Sequence, residues 1–140
     1  MLKKDDEKTI IKTLESCTDF GDAQVYYKEL RKFGIDIKKN EEVIEIINFL
    51  EAIGKDDRLY IITALKEKDR CVCELEAILQ KSQPSVSHHL KILEKANLIR
   101  GWKKGKFTHY SLIKSNFIRF NKILSEFLGN ISNWFGEIII

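Results

Sequence analysis

Two sulfurs and a run of polar and basic side chains are the parts of this 140-residue chain with chemistry to offer. Cys71 and Cys73 flank Val72 in the stretch Arg70-Cys71-Val72-Cys73-Glu74-Leu75. Thiolates are ligands for soft ions, and cadmium, lead, trivalent arsenic and zinc all suit them. Residues i and i+2 of a regular helix do not face each other, so the pair can grip one ion only where the turn is non-helical or becomes so. An ion drawing the sulfurs together would then distort the start of a helix. The other role open to the pair is that of small buried residues. Further on come Ser82-Gln83-Pro84-Ser85-Val86-Ser87-His88-His89-Leu90-Lys91 and Lys103-Lys104-Gly105-Lys106. Hydroxyl, amide, imidazole and ammonium groups of this kind meet phosphates and base edges. No nucleophile–base–carboxylate set, phosphate loop or metal-hydrolase motif accompanies them, so no enzyme is expected.

The elements that must position these groups are legible around Ser82. Leu75, Ile78 and Leu79 form one helical stripe, and Val86, Leu90 and Leu93 form another, with room for only a tight turn between them. Ser82 is a capping residue and Pro84 sits in the first turn, where its missing N–H costs nothing. A short helix, a turn and a polar-faced second helix make a helix-turn-helix, whose second helix lies in the DNA major groove. Strand patterns follow at Leu98–Trp102 and Phe107–Leu112, around a glycine-containing turn at Lys103–Lys106, which predicts a β-hairpin. The fold expected is mainly α with a small β-hairpin wing, a winged helix-turn-helix. Ser82 and Gln83 are placed at the reading end of the second helix, and Ser85, Ser87, His88, His89 and Lys91 on its polar face and margins. One of the two histidines should face DNA and the other, about 100° round the helix, should pack inside. Lys103, Lys104 and Lys106 should reach phosphate or the minor groove from the wing tip, with Trp102 and Tyr110 in the hairpin core.

Cys71-Val72-Cys73-Glu74-Leu75 followed by Ser82-Gln83-Pro84-Ser85-Val86-Ser87-His88-His89-Leu90-Lys91-Ile92-Leu93 resembles the ArsR family of small dimeric, metal- or metalloid-responsive repressors. The resemblance covers about Ile44 to Ile113 and includes Arg58. It implies a repressor released from its operator when arsenic(III), cadmium, lead or zinc binds Cys71 and Cys73, with no cofactor otherwise required. The family's arsenic site takes a third cysteine three residues after the second, and that position here is Glu76. Resembling cadmium and lead sensors recruit arm cysteines from the other subunit, which makes Cys17 the candidate third ligand. Without it, Glu74, Glu76 or water would complete a two-sulfur site. The family's second metal site, on the final helix, needs paired Asp and His, and Ser115–Phe127 offers only Asn116 and Glu126. The alternative is a regulator of the same kind that answers thiol oxidation or a protein partner and binds no metal.

Composition agrees with a DNA-binding reading. The net charge is only +3, yet residues 82–114 hold seven basic residues against one acidic, a net of +6. All of the positive excess therefore sits where phosphates would be met. Hydrophobic residues make up 44% and charged residues 32%, the balance of an ordinary globular protein, and a single proline favours helices. No apolar run approaches a membrane span and no signal core opens the chain, so a cytoplasmic protein is expected. Three cysteines, two of them two apart, make a poor disulfide framework.

Three regions are expected. Residues 1–40 form a helical extension, with helices from Asp5 to Cys17 and from Phe20 to Phe33, the second ended by Gly34. Residues 41–113 form the winged helix-turn-helix, with Asn40 capping a helix closed by Gly54 and Asp56 or Asp57 capping the next. Residues 114–140 form a helix capped by Ser115 and an apolar tail. The terminal segments carry more apolar surface than a winged-helix core can cover, and such excess usually buries against a partner. The resemblance makes that partner a second copy, giving a homodimer through N- and C-terminal helices. Its two reading helices would meet an inverted repeat in double-stranded DNA, about one helical turn apart.

Overall fold

The structure is a computed structural model that describes residues 1–17 and 21–139, and the side chains of the last helix as far as Asn133. It divides into two units, Met1–Ile44 and Glu45–Ile140. In the first, α1 (Lys4–Cys17) packs on α2 (Ala23–Lys39). Asp22 caps α2, its carboxylate accepting from the backbone N–H of Gln24 at 2.8 Å and of Val25 at 3.4 Å. The expected start at Phe20 lies outside the described residues. Gly34 does not end the helix, which runs on to Lys39. One interior glycine costs only about 1 kcal/mol relative to alanine, a far weaker break than proline's.

The third helix, α3 (Glu41–Ile53), starts as the sequence predicts, with Asn40 Oδ1 accepting from Val43 N–H at 3.2 Å. Gly54 follows it, and a Cβ there would meet the Leu50 carbonyl at 2.7 Å, so only glycine fits this exit. The second unit continues through α4 (Asp56–Glu67), β1 (Arg70–Cys71), α5 (Val72–Leu79), α6 (Gln83–Lys95), β2 (Ile99–Lys104), β3 (Phe107–Leu112) and α7 (Lys114–Ile139). Lys55, not Asp56 or Asp57, occupies the cap position of α4, and both aspartates lie in its first turn. Ser115 is likewise one residue inside α7.

Between α5 and α6 the turn is as short as the sequence demands. Gln80 takes the left-handed conformation at φ 53°, and Ser82 caps α6 by accepting from Ser85 N–H at 3.4 Å. Strands β2 and β3 close on the two residues Gly105 and Lys106, with Lys104 opposite Phe107. Gly105 has φ 61° and Lys106 has no positive φ, the pattern of a type II′ turn, whose first position favours glycine. The sheet has a third, unforeseen member: β1 pairs antiparallel with β3, giving the order β1-β3-β2.

The apolar stripes meet in one core. Ile61 and Leu65 from α4, Leu75 from α5, Val86, Leu90 and Leu93 from α6, and Leu98 and Ile99 at the wing root are all buried. Phe49 of α3 stacks on Phe120 of α7 at 4.3 Å between ring centroids and meets Phe117 edge-on at 6.3 Å, joining α3 and α7 over that core. Arg119 and Glu45 reinforce the junction with hydrogen bonds of 2.6 and 3.2 Å. Among the described residues, no helix is long and apolar enough to cross a membrane. Leu93, fully buried in α6, sets the seat of that helix, so Leu93→Ala should cost about 2–5 kcal/mol in urea denaturation, against less than about 0.5 for Lys95→Ala on the exposed face.

Candidate nucleic-acid interface and thiol site

Helix α6 is amphipathic in the sense its proposed role needs. Val86, His89, Leu90 and Leu93 point into the core, while Gln83, Pro84, His88, Lys91 and Lys95 are exposed and Ser85 and Ser87 lie at the margins. Ser82 and Gln83 stand at the exposed N-terminal end. The wing carries Lys103, Lys104 and Lys106 on its exposed tip. Tyr110 packs against the core as expected, and burial raises its pKa, with the charge of Glu94 adding to the effect. Trp102 does not enter that core. It lies on the outer face, stacked on His109 at 5.1 Å and donating from Nε1 to Ser111 Oγ at 2.9 Å.

The two adjacent histidines divide as the helical repeat requires. His88 is exposed and His89 is only 9% exposed, so His89 has no access to DNA and leaves the set of candidate contacts. It serves instead as a buried link between elements. Its Nδ1 lies 3.3 Å from Arg58 Nη1 and its Nε2 lies 3.4 Å from Asp57 Oδ2. A guanidinium can only donate, so Nδ1 accepts and the neutral ring carries its proton on Nε2, toward the carboxylate. Arg58 also donates to the backbone carbonyls of Ala52 and of Glu51, the latter at 3.0 Å. The last turn of α3, the first turn of α4 and the middle of α6 are thereby tied through one imidazole. Arg58 belonged to the sequence resemblance, but nothing in the sequence pairs it with a residue 31 positions away.

Cys71 and Cys73 depart furthest from expectation. The sulfurs are joined in a disulfide, with Cα atoms 5.5 Å apart, where the spacing in the sequence argued against one. The reason is local. Cys71 belongs to β1 and stands at the cap of α5 with extended backbone, φ −80° and ψ 166°, so only Cys73 is helical. The non-helical turn that joint sulfur chemistry requires is thus built in. Glu74 holds this junction, its Oε2 accepting from Cys71 N–H at 2.8 Å and its Oε1 lying 4.0 Å from Lys68 Nζ. Cys71 is buried and Cys73 exposed. Cys17 is free and exposed at the end of α1, in the N-terminal unit. Among the described residues, no three His, Cys, Asp or Glu side chains are grouped so as to hold a metal ion.

A basic, solvent-facing helix seated by a short helix before it and a β-hairpin after it is the winged helix-turn-helix of DNA-binding proteins. Residues 55–100 match the bacterial regulatory protein, arsR family. The chain is 36% identical over 104 residues to the arsenical resistance operon repressor of Bacillus subtilis, covering 74% of this chain and 96% of that protein. It is 32% identical over 87 residues to the cadmium resistance transcriptional regulatory protein CadC of Listeria innocua, covering 61% of this chain and 68% of that one. In three dimensions it is similar to an ArsR-like transcriptional regulator from Rhodococcus sp. RHA1, with a TM-score of 0.61 at 20% identity over 68% of this chain and 90% of that chain. The chain belongs to the ArsR family, whose members are transcriptional regulators and not enzymes.

The His89 link gives the fold a pH dependence whose sign is fixed. Burial, the largest influence, holds the His89 pKa below its ordinary 6.5, opposed by the charge of Asp57 and helped by those of Arg58 and His88. The unfolded chain therefore takes up the proton first as pH falls, and stability present above about 6.5 declines below it. Protonation would also place a hydrogen on Nδ1 against Arg58. Urea midpoints measured from pH 8 to pH 5 should fall on the acid side in the native protein and fall less in His89→Gln.

Proposed function

We propose that this protein is a repressor that occupies an operator as a homodimer and leaves it when a soft ion binds Cys71 and Cys73. The observation that carries the reading is the pair itself. Two sulfurs stand close enough to bond, at the strand-to-helix junction immediately before the helix-turn-helix. Once reduced, two thiolates on one short segment suit cadmium, lead, zinc or trivalent arsenic. The bonded pair cannot ligate an ion, so the thiol form is the responsive one. The arsenical and cadmium resistance regulators to which the chain is similar support this class of inducer. Cys17 is the candidate third sulfur, brought from the partner's arm.

DNA would be met by Ser82, Gln83, Ser85, Ser87, His88 and Lys91 of α6 and by Lys103, Lys104 and Lys106 of the wing. The dimer reading is supported by apolar surface left open on α3 and α7: Ile47 and Leu50 of α3 are 48% and 45% exposed, and Ile118 and Leu128 of α7 are 71% and 54% exposed. Ion binding would shift the head of α5, and α5 packs directly on α6.

Two outcomes test this. A fluorescent duplex from upstream of the protein's own gene should be bound by reduced protein and released, by anisotropy, on addition of one of arsenite, cadmium, lead or zinc. That release should be lost in Cys71→Ser and Cys73→Ser, whereas a complex indifferent to every ion would exclude the thiol pair as the switch. Separately, each of Lys103→Ala, Lys104→Ala and Lys106→Ala that removes a phosphate contact should lower the slope of log affinity against log salt by about one unit.

A further inference from the structure

The sheet register brings a third donor to the sulfur pair. In the antiparallel pairing of β1 with β3, Cys71 lies directly opposite His109. Residues directly opposite in such a pair share a face, with Cβ atoms about 4.5–5.5 Å apart. Across the next pairing His109 lies opposite Trp102, so Cys71, His109 and Trp102 form one row across the three strands. The carboxylate nearest the sulfurs in sequence, Glu74, is already bonded to the Cys71 N–H. His109 is half-buried and stacks on the Trp102 indole, and its described contacts include no hydrogen bond to a protein acceptor.

We infer that His109 of the wing, in place of Cys17, is the third ligand of an ion held by Cys71 and Cys73, a reading that rests on the thiol pair proposed above. Two thiolates and an imidazole suit zinc or cadmium, borderline and soft divalent ions that take mixed sulfur and nitrogen ligands. They suit trivalent arsenic less, since it favours sulfur throughout. The donors are not preassembled. The disulfide must be reduced, and the His109 ring must swing from Trp102 toward Cys71. An ion so bound fastens the middle strand of the wing to the head of α5. Ion binding then acts on both DNA-facing parts at once, the wing directly and α6 through α5.

The test uses full-length reduced protein and cadmium alone as the probe. Ultraviolet thiolate-to-metal absorption reports the sulfurs, and long-range ¹H–¹⁵N spectra report the imidazoles. Native protein should show the absorption and a displaced His109 ring resonance, and the displacement should vanish in Cys71→Ser/Cys73→Ser. His109→Gln should keep the absorption but bind cadmium at least about tenfold more weakly, the scale on which loss of even an outer partner is felt. Lys95→Ala, on the exposed face of α6, should bind cadmium as native protein does. Equal affinity in His109→Gln with an unmoved His109 resonance overturns the third ligand and leaves the thiol pair standing. Absence of thiolate absorption in native protein overturns both.

Discussion

The seat of α6 is the constraint on which the rest of the molecule depends. A reading helix is useful only if its outward face is held at a fixed angle, and here two different forces hold it. Val86, Leu90 and Leu93 bury against Ile61, Leu65 and Leu75, which supplies most of the free energy but little direction. The imidazole of His89 supplies direction, because its two nitrogens must meet Arg58 and Asp57 at once. A buried ring satisfied on both sides tolerates little rotation of its helix, and either nitrogen left unpaired would carry a desolvation cost. Since Arg58 also grips the carbonyls that end α3, the reading helix is referenced to the helix whose open apolar side faces outward.

The sulfur pair lies at the head of α5, the helix that packs on α6. Its location at a strand-to-helix junction reconciles two requirements that a regular helix cannot meet together. Cys71, extended and paired with β3, leaves its sulfur free to reach Cys73, while Cys73 stays within the first turn of α5. Any ligand or bond that joins the sulfurs therefore acts on the start of α5, the helix that packs against α6. The same junction is hydrogen-bonded to the wing, which lies in the same sheet as β1.

Much of this was legible in the sequence, and the failures have physical causes. The helix-turn-helix was readable because Ser82, Pro84 and two apolar stripes agree on one turn. The wing was readable because alternation around Gly105 agrees with a hairpin, though its turn proved two residues shorter than the lysine run suggested. The strand β1 was not readable, because two residues carry no periodicity and its pairing with β3 is a tertiary fact. Without it, neither the closeness of Cys71 to Cys73 nor the place of His109 opposite Cys71 can be read. His89 could be narrowed to one of two adjacent residues by helical geometry alone, but its partners Asp57 and Arg58 are distant in the chain. Asp57 looked like a helix cap and is instead an acceptor for that ring, a role that local sequence rules do not encode.

Events at the sulfur pair should reach the reading helix through the head of α5. Amide hydrogen exchange on the reduced protein, with and without cadmium, measures this directly. Altered protection from Arg70 to Glu76 should appear together with altered protection in the first turns of α6. Binding of the ion with protection unchanged across α5 and α6 would contradict it.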